Sequence, residues 1–164
     1  SGVTEVFRDE HVVVKAVQNT HFPERAIKQM PYRSFAYRFD MADRSIVFSG
    51  DTAYSRDLVS LARNADVFVC ETIGKPRRQQ RKQIAKAAAE NTESIGRHVN
   101  ETHSTTDAVG RMAAEANVKK VVLNHLVGGG SSKEGLESFE SDLIDAVHEY
   151  FSGEVIVGRD QMHI

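Results

Sequence analysis

The chain has 164 residues, of which 40% are hydrophobic and 27% are charged, and its formal net charge is −2. This length fits one domain with an ordinary buried core, and the composition is typical of a globular protein rather than of a fibrous or disordered one. The near-neutral charge gives no overall electrostatic case for nucleic acid, the single Cys70 excludes an internal disulfide framework, and no apolar run is long enough to cross a membrane.

Four strands are predicted before the first helix, at residues 5–9, 11–18, 34–40 and 46–48. The second contains the β-prone run from Val12 to Val17 and ends in a polar turn that carries His21. The third alternates aromatic residues with smaller or polar ones, which is typical of a half-buried strand. The fourth is short and apolar and stops at Gly50, where the backbone is free to turn, so that Asp51 follows at its carboxyl end.

Helices and strands alternate through the rest of the chain. Helices are predicted at residues 54–64, 76–97, 107–116 and 136–151. Strands are predicted at 65–70 and 118–124, a Gly- and Ser-rich loop at 128–132, and a closing hairpin that pairs 154–157 with 161–164. This alternation predicts an α/β fold in which helices cover a sheet. Because there is no internal repeat and no linker, residues 1–164 are predicted to form one domain.

Four polar side chains lie where α/β sheets gather their functional groups. His21, Asp51 and His125 each follow an apolar strand, and His103 precedes a helix. Strand ends in one sheet converge, and imidazole nitrogen with carboxylate oxygen is a zinc-type ligand set. Each residue also has a simpler interpretation: a loop residue for His21, a turn or helix cap for Asp51, a core histidine for His125 and part of a helix cap for His103. From the residues alone, both the metal site and these structural roles stay open.

Several short motifs follow one another along the chain: Phe48-Ser49-Gly50-Asp51-Thr52, Val67-Phe68-Val69-Cys70-Glu71-Thr72, His103-Ser104-Thr105 and Val121-Val122-Leu123-Asn124-His125-Leu126. In this order they resemble the metallo-β-lactamase superfamily, and within it the ribonuclease Z and arylsulfatase-like branch. The closing segment 153–164, and His21 ahead of 31–38, resemble the same branch. The resemblance covers nearly the whole chain and implies the C-terminal half of a metallo-β-lactamase αβ/βα sandwich.

The resemblance implies a role for each of these side chains. Asp51 resembles the carboxylate that bridges two zinc ions, with His21 as a ligand of the first ion and His125 as a ligand of the second. His103 resembles the histidine that is not a ligand but gives a proton or a hydrogen bond during the reaction. Glu71 resembles the acid of a His-Glu-Ala-Thr motif that orients this histidine, although a cysteine takes the place of that His here and the Ala is missing.

The chain departs from the family pattern in one large respect. The His-x-His-x-Asp-His motif of the superfamily is absent, and no two histidines here are separated by a single residue. The resemblance therefore implies that this is the second half of the fold and that a companion N-terminal segment or chain supplies the remaining ligands. An incomplete ligand set would hold zinc poorly, and a sheet face meant for the missing half would be exposed. We expect the chain to need this companion for stability and for activity.

The resemblance implies a dinuclear zinc-dependent hydrolase in which a metal-bridging hydroxide attacks a small-molecule carboxylic ester, lactone, aryl sulfate or phosphoester. The interval between His21 and Asp51 is too short for the tRNA-gripping arm of ribonuclease Z, which argues against a nucleic-acid substrate. A ribonuclease Z-like phosphodiesterase and a non-catalytic half-domain that serves as a scaffold are the alternatives. The basic cluster at 75–82 is interpreted as a solvated helix face rather than a phosphate-binding surface. The compartment, cytoplasm or periplasm, and a homo-oligomeric state stay open.

Overall fold

One mixed sheet of seven strands organises the part of the chain that the computed structural model describes, which comprises residues 2–22, 27–28, 32–73, 101–126 and 132–164. In their side-by-side order the strands are β1 (Thr4–Arg8), β2 (Val12–Gln18), β3 (Phe35–Met41), β4 (Ser45–Phe48), β5 (Val67–Glu71), β6 (Lys120–Asn124) and β7 (Glu154–Val157). The helices within these residues are α1 (Arg56–Ala62), α2 (Thr106–Ala116) and α3 (Lys133–His148). The helix predicted at 76–97, with its basic cluster, and most of the loop predicted at 128–132 lie outside them.

The direction of each strand decides which strand ends meet. Strands β1 to β4 are antiparallel neighbours in chain order. From β4 onward each strand is parallel to the next, because α1, α2 and α3 each lie between two consecutive strands and carry the chain back along the sheet. Strands β2, β4, β5, β6 and β7 therefore point the same way, and their carboxyl ends share one edge of the sheet.

The side chains of the sheet alternate between two faces, and the described helices cover one of them. The core on the helix side contains strand residues that are fully buried: Val47, Phe68, Cys70, Val121 and Leu123. They pack with residues of the three helices: Leu58, Met112, Leu143 and Val147. Their neighbours along β4, β5 and β6 point to the opposite face, which is also apolar. The two apolar faces follow from strands that are nearly continuous hydrophobic runs.

Hydroxyl side chains decide where the helices begin. The hydroxyl of Ser55 accepts a hydrogen bond from the backbone N–H of Leu58, so α1 begins later than predicted. The hydroxyl of Ser132 accepts in the same way from Gly135, and α3 therefore begins at Lys133, ahead of the predicted start at 136.

No helix among the described residues is long and apolar enough to cross a membrane.

The predicted closing hairpin is wrong. Strand β7 pairs in parallel with β6, and residues 161–164 do not form a strand. The chain instead turns, with the backbone N–H of Met162 donating to the carbonyl of Arg159 at 3.1 Å. Gln161 has a φ of 63°, in the left-handed region, which is incompatible with an extended strand.

Candidate metal centre

Four of the predicted site residues meet at the edge of the sheet where the parallel strands end. His21, Asp51 and His125 follow β2, β4 and β6, and His103 precedes α2. Single ligand atoms from His21, Asp51 and His103 all lie within 4.8 Å of one another. The Nδ1 atom of His125 lies 3.1 Å from Oδ1 of Asp51. The structure thus brings these side chains together, while the role of each remains a prediction.

Asp51 reaches this edge because the chain turns at Gly50. Gly50 has a φ of 58°, and a Cβ atom there would lie 2.9 Å from the carbonyl oxygen of Phe35, so glycine is the residue that fits this turn. Asp51 does not cap the following helix, because Ser55 does so. The Asp51 side chain is 44% exposed, which leaves its carboxylate open to a ligand.

A hydrogen bond selects the proton position on the imidazole of His21. Nδ1 of His21 lies 3.0 Å from the carbonyl oxygen of Thr102, and since a carbonyl only accepts, this nitrogen carries the proton. In this ring Nε2 is then the nitrogen that offers a lone pair. Nδ1 of His125 lies at ion-pair distance from the Asp51 carboxylate. His125 is 46% exposed and has a φ of 51°, so it is not the buried core histidine that was the simpler alternative.

His103 is held by a buried acid. Its Nδ1 lies 3.2 Å from Oε1 of Glu71, whose side chain is 1% exposed. The same oxygen accepts the backbone N–H groups of Thr52 at 3.0 Å and Ser104 at 2.9 Å. The His103 ring lies between those of His21 and His125, with centroid distances of 5.2 and 5.6 Å. His103 is not the helix cap, because the side chain of Thr105 caps α2.

Burial of Glu71 disfavours the ionised form of its carboxyl group. Burial raises the pKa of the carboxyl, and the N–H groups of Thr52 and Ser104 together with His103 offset part of that effect. Its second oxygen, Oε2, is buried and has no hydrogen-bond partner among the described residues. A carboxylate oxygen of Glu71, together with His103 and His125, forms a second group of closely spaced ligand atoms. A buried carboxylate with an acceptor left without a partner, beside the imidazoles of His103 and His125, is suited to a cation.

The donor set fits a transition metal such as zinc. Imidazole nitrogen and carboxylate oxygen are both common zinc ligands, and the two groups of ligand atoms share His103. The geometry by itself permits His103 to be a ligand or to remain outside the coordination shell. Its bond to Glu71 is compatible with both roles, because an Nδ1–H that donates to a carboxylate fixes the ring and leaves Nε2 for a metal ion or for a second proton.

Sequence reasoning missed the buried polar residues whose hydrogen bonds join the segments that bear these side chains. The hydroxyl of Ser104 donates to the carbonyl of Thr52 at 2.7 Å, and the hydroxyl of Ser49 accepts the N–H of Glu71 at 3.1 Å. Asn19, Ser49, Thr52 and Ser104 are all buried. The one available signal was the presence of several small polar residues inside the quoted motifs, where apolar residues would otherwise be expected.

A comparison with protein families settles the classification. Residues 2–126 match the family model described as a beta-lactamase superfamily domain. The chain belongs to the metallo-β-lactamase superfamily. An uncharacterized protein of Mycobacterium leprae is 34% identical over 125 residues, which cover 76% of this chain and 38% of that protein. A ribonuclease Z of Bacillus velezensis is 31% identical over 99 residues, which cover 60% of this chain and 27% of that enzyme.

The fold is that of other metallo-β-lactamase proteins. The metallo-β-lactamase fold protein YhfI from Bacillus subtilis superimposes with a TM-score of 0.67 at 18% identity, over 97% of this chain and 51% of YhfI. The predicted α/β class and the predicted superfamily are thereby confirmed. The chain spans 38% of the Mycobacterium leprae relative and about half of YhfI.

Proposed function

We propose that this chain carries part of the active site of a zinc-dependent hydrolase that cleaves a small ester-type substrate. The observation that carries the proposal is the meeting of His21, Asp51 and His125 at one edge of the sheet, beside a His103 held by the buried Glu71. These five residues come from five separate segments of the chain, which the fold brings to one edge of the sheet. Membership of a superfamily of metal-dependent hydrolases supports the same function.

His21, Asp51 and His125 are the residues that would hold two zinc ions. His21 keeps Nε2 free of a proton, because its Nδ1 donates to the carbonyl of Thr102. The imidazole of His125 lies at ion-pair distance from the Asp51 carboxylate. Asp51 has two carboxylate oxygens and an exposed side chain, which suits a bridging role. Bound zinc supplies Lewis acidity that polarises the ester oxygen and favours the ionisation of water.

His103 is the proposed proton donor. With Nδ1–H donated to Glu71, a protonated His103 holds its second proton on Nε2 and can pass it to the departing oxygen of the substrate. The Glu71 carboxylate stabilises the positive charge that the ring carries before that transfer. After the transfer the ring is neutral, and Glu71 still fixes its orientation. The contact with Glu71 therefore serves both the position and the charge of His103.

The short chain segment between His21 and Asp51 favours a small substrate. Only 29 residues separate His21 from Asp51, and strand β3 occupies seven of them, so a long nucleic-acid-binding arm does not fit there. This supports a carboxylic ester, lactone, aryl sulfate or phosphoester of small size. A ribonuclease Z-like phosphodiesterase is the second candidate, and the identity of 31% with the ribonuclease Z of Bacillus velezensis favours it.

We further propose that a companion N-terminal segment or chain covers the open face of the sheet and supplies the remaining ligands. This face forms an apolar groove of about 570 Å³ beside His125. Its lining includes Ile46, Phe48, Val67, Val69 and Val122, and no residue of the three described helices. Phe48 is 44% exposed in the groove. An apolar sheet face of this kind supports the presence of a second layer over it.

The test is to purify the protein together with its companion, determine bound metal and measure hydrolysis. We expect about two zinc ions per complete unit and turnover of a nitrophenyl ester, an aryl sulfate or bis-nitrophenyl phosphate. Cleavage of a precursor tRNA in preference to all three would favour the ribonuclease Z-like alternative. A complete assembly that binds no metal and turns over none of these substrates would refute the proposal and leave a scaffold.

A further inference from the structure

Asn19 is a buried polar residue that links the two segments carrying His21 and Asp51. It directly follows β2, and only 4% of it is exposed. Its side-chain amide donates to the carbonyl oxygen of Ser49 at 2.8 Å, just ahead of Gly50. Its side-chain oxygen accepts the backbone N–H of His21 at 3.2 Å. The Asn19 side chain is therefore hydrogen-bonded to the backbone of both segments, at Ser49 and at His21.

A second link joins the same segments one residue further along. The backbone N–H of Thr20 donates to the hydroxyl oxygen of Thr52 at 3.2 Å, and the Thr20 hydroxyl donates to the carbonyl of Ala53 at 3.0 Å. The segment 19–21 is thus attached to the segment 49–53 both before and after Asp51. Strand β3 separates β2 from β4 in the sheet, so no sheet hydrogen bonds hold these two strand ends together.

The turn at Gly50 is shaped around Asn19. A Cβ atom at Gly50 would lie 3.3 Å from Nδ2 of Asn19, so the glycine leaves the space in which the amide reaches Ser49. A buried amide that makes both of its bonds to backbone groups is geometrically specific, since a shorter or charged side chain leaves a buried group unpaired. This arrangement sets the separation of His21 and Asp51 independently of any ion.

We propose that Asn19 is a positioning residue that holds His21 opposite Asp51, so that both side chains meet one metal ion. The inference rests on the proposed function, because it assigns Asn19 a role toward the same site. It concerns the backbone of the site and not its ligands. Hydrogen-bonded groups behind metal ligands commonly contribute 10–100-fold to metal affinity, and Asn19 acts on a ligand in this indirect way.

The test compares Asn19→Asp, Asn19→Ser and a control, Asn117→Asp, in the protein with its companion. The aspartate variant keeps the acceptor for His21 but places an oxygen against the Ser49 carbonyl, and the serine variant is too short to reach Ser49. Asn117 lies at the far end of the sheet, where its amide contacts Asn64. We expect a loss of zinc affinity of about tenfold or more in both Asn19 variants, measured by competition with a chromophoric chelator, and no loss in the control.

A second readout needs no metal. In metal-free protein with ¹³C-labelled histidine, the rings of His21 and His103, 5.2 Å apart, give a nuclear Overhauser cross-peak that we expect to weaken in both Asn19 variants and persist in the control. Folded variants that keep this cross-peak and the wild-type zinc affinity would overturn the inference. Wild-type protein that binds no zinc would refute the proposed function, while the cross-peak would still decide the role of Asn19. If both Asn19 variants lose the far-ultraviolet circular dichroism of the wild type, Thr20→Val carries the same two measurements, because at this exposed residue it removes the hydroxyl bond to Ala53 from the attachment of the two segments and keeps the Thr20 N–H bond to Thr52.

Discussion

The imidazole of His125 contacts the carboxylate of Asp51, with 3.1 Å between Nδ1 and Oδ1, although β5 separates the two strands that carry them. The contact exists because both residues lie beyond the carboxyl ends of strands that point the same way. Both side chains are nearly half exposed, so the pair is not a buried structural one, and a shared ligand is the role that we propose for it.

Asp51→Ala is expected to abolish zinc binding and hydrolysis together, because it removes the carboxylate proposed to bridge two ions. The side chain is 44% exposed, so the free energy of unfolding of the metal-free protein should change by no more than about 0.5 kcal/mol. Chelator competition, turnover and thermal melts measure the three quantities. Asp43→Ala, at an exposed turn between β3 and β4, is the control and should leave all three unchanged. Activity retained by the Asp51 variant would remove the residue from its assigned role.

His103→Gln is expected to slow turnover by about 10²–10⁴-fold, the usual contribution of a general acid, with zinc content unchanged. The reason is that His103 is proposed to donate a proton, and its Nδ1 is already engaged by Glu71. Metal analysis and steady-state kinetics on one preparation distinguish the two effects. His11→Gln, at a side chain that is 82% exposed, serves as the control. Loss of zinc in the His103 variant would show instead that this residue is a ligand.

Glu71→Gln is expected to lower turnover by about tenfold or more without destabilising the fold at neutral pH. Burial raises the pKa of Glu71 above its ordinary value of 4.5, so the folded state holds a proton that the unfolded chain releases at lower pH. Stability of the wild type should therefore fall as the pH rises above about 4.5, and the amide variant should lack this component. Melting temperatures of both metal-free proteins from pH 4 to 7 check the sign. A wild type that gains stability relative to the variant over this range would contradict it, and Glu10→Gln, with 85% exposure, is the control.

Gly50→Ala is expected to destabilise the protein by about 2 kcal/mol and to weaken zinc binding. Alanine is strained at a φ of 58°, and its Cβ would lie 2.9 Å from the Phe35 carbonyl oxygen. The displaced turn would move Asp51 away from its neighbours. Gly2→Ala is the matched control, since a Cβ there meets no atom within 4 Å. Denaturant unfolding measures the effect, and equal stability of the two variants would exclude the strained turn.

Asp66→Asn is expected to lower the melting temperature at neutral pH by about 2–4 °C, equivalent to about 1 kcal/mol. A hydrogen bond from Lys119, and further bonds from the backbone and hydroxyl of Ser45, lower the pKa of Asp66 to about 2. Its stabilisation is therefore complete above the ordinary value of 3.8 and is lost as the pH falls toward about 2.

Melts of the Asp66 variant and the wild type from pH 7 to 2 check this sign. The two curves should converge near pH 2, while Asp43→Asn, at an exposed carboxylate, should follow the wild type throughout. A constant difference between the Asp66 variant and the wild type across this range would show that the charge of Asp66 is not the cause.

Much of the fold was predictable because it depends on local pattern. The apolar runs before Gly50 and His125 form β4 and β6 as expected, since both strands are buried between neighbouring strands. The first residues of α1 and α3 were predicted wrongly because a serine hydroxyl, rather than the spacing of the apolar residues, decides where each helix begins. The prediction of a closing hairpin was wrong for a different reason. A crossover through α3 places β7 in parallel with β6, and only the sheet topology shows this.

The types of donor group at the candidate site, and their order along the chain, were already written in the sequence, because imidazole and carboxylate chemistry belongs to the residues themselves. Only the tertiary structure decided that β2, β4 and β6 end at one edge, so that residues far apart in the chain come within a few ångströms. It also decided which nitrogen of His21 is free, and that Asn19 and Ser49 share a hydrogen bond. These are contacts between distant segments, and a hydrogen bond across a sheet has no local signature in the residues that form it.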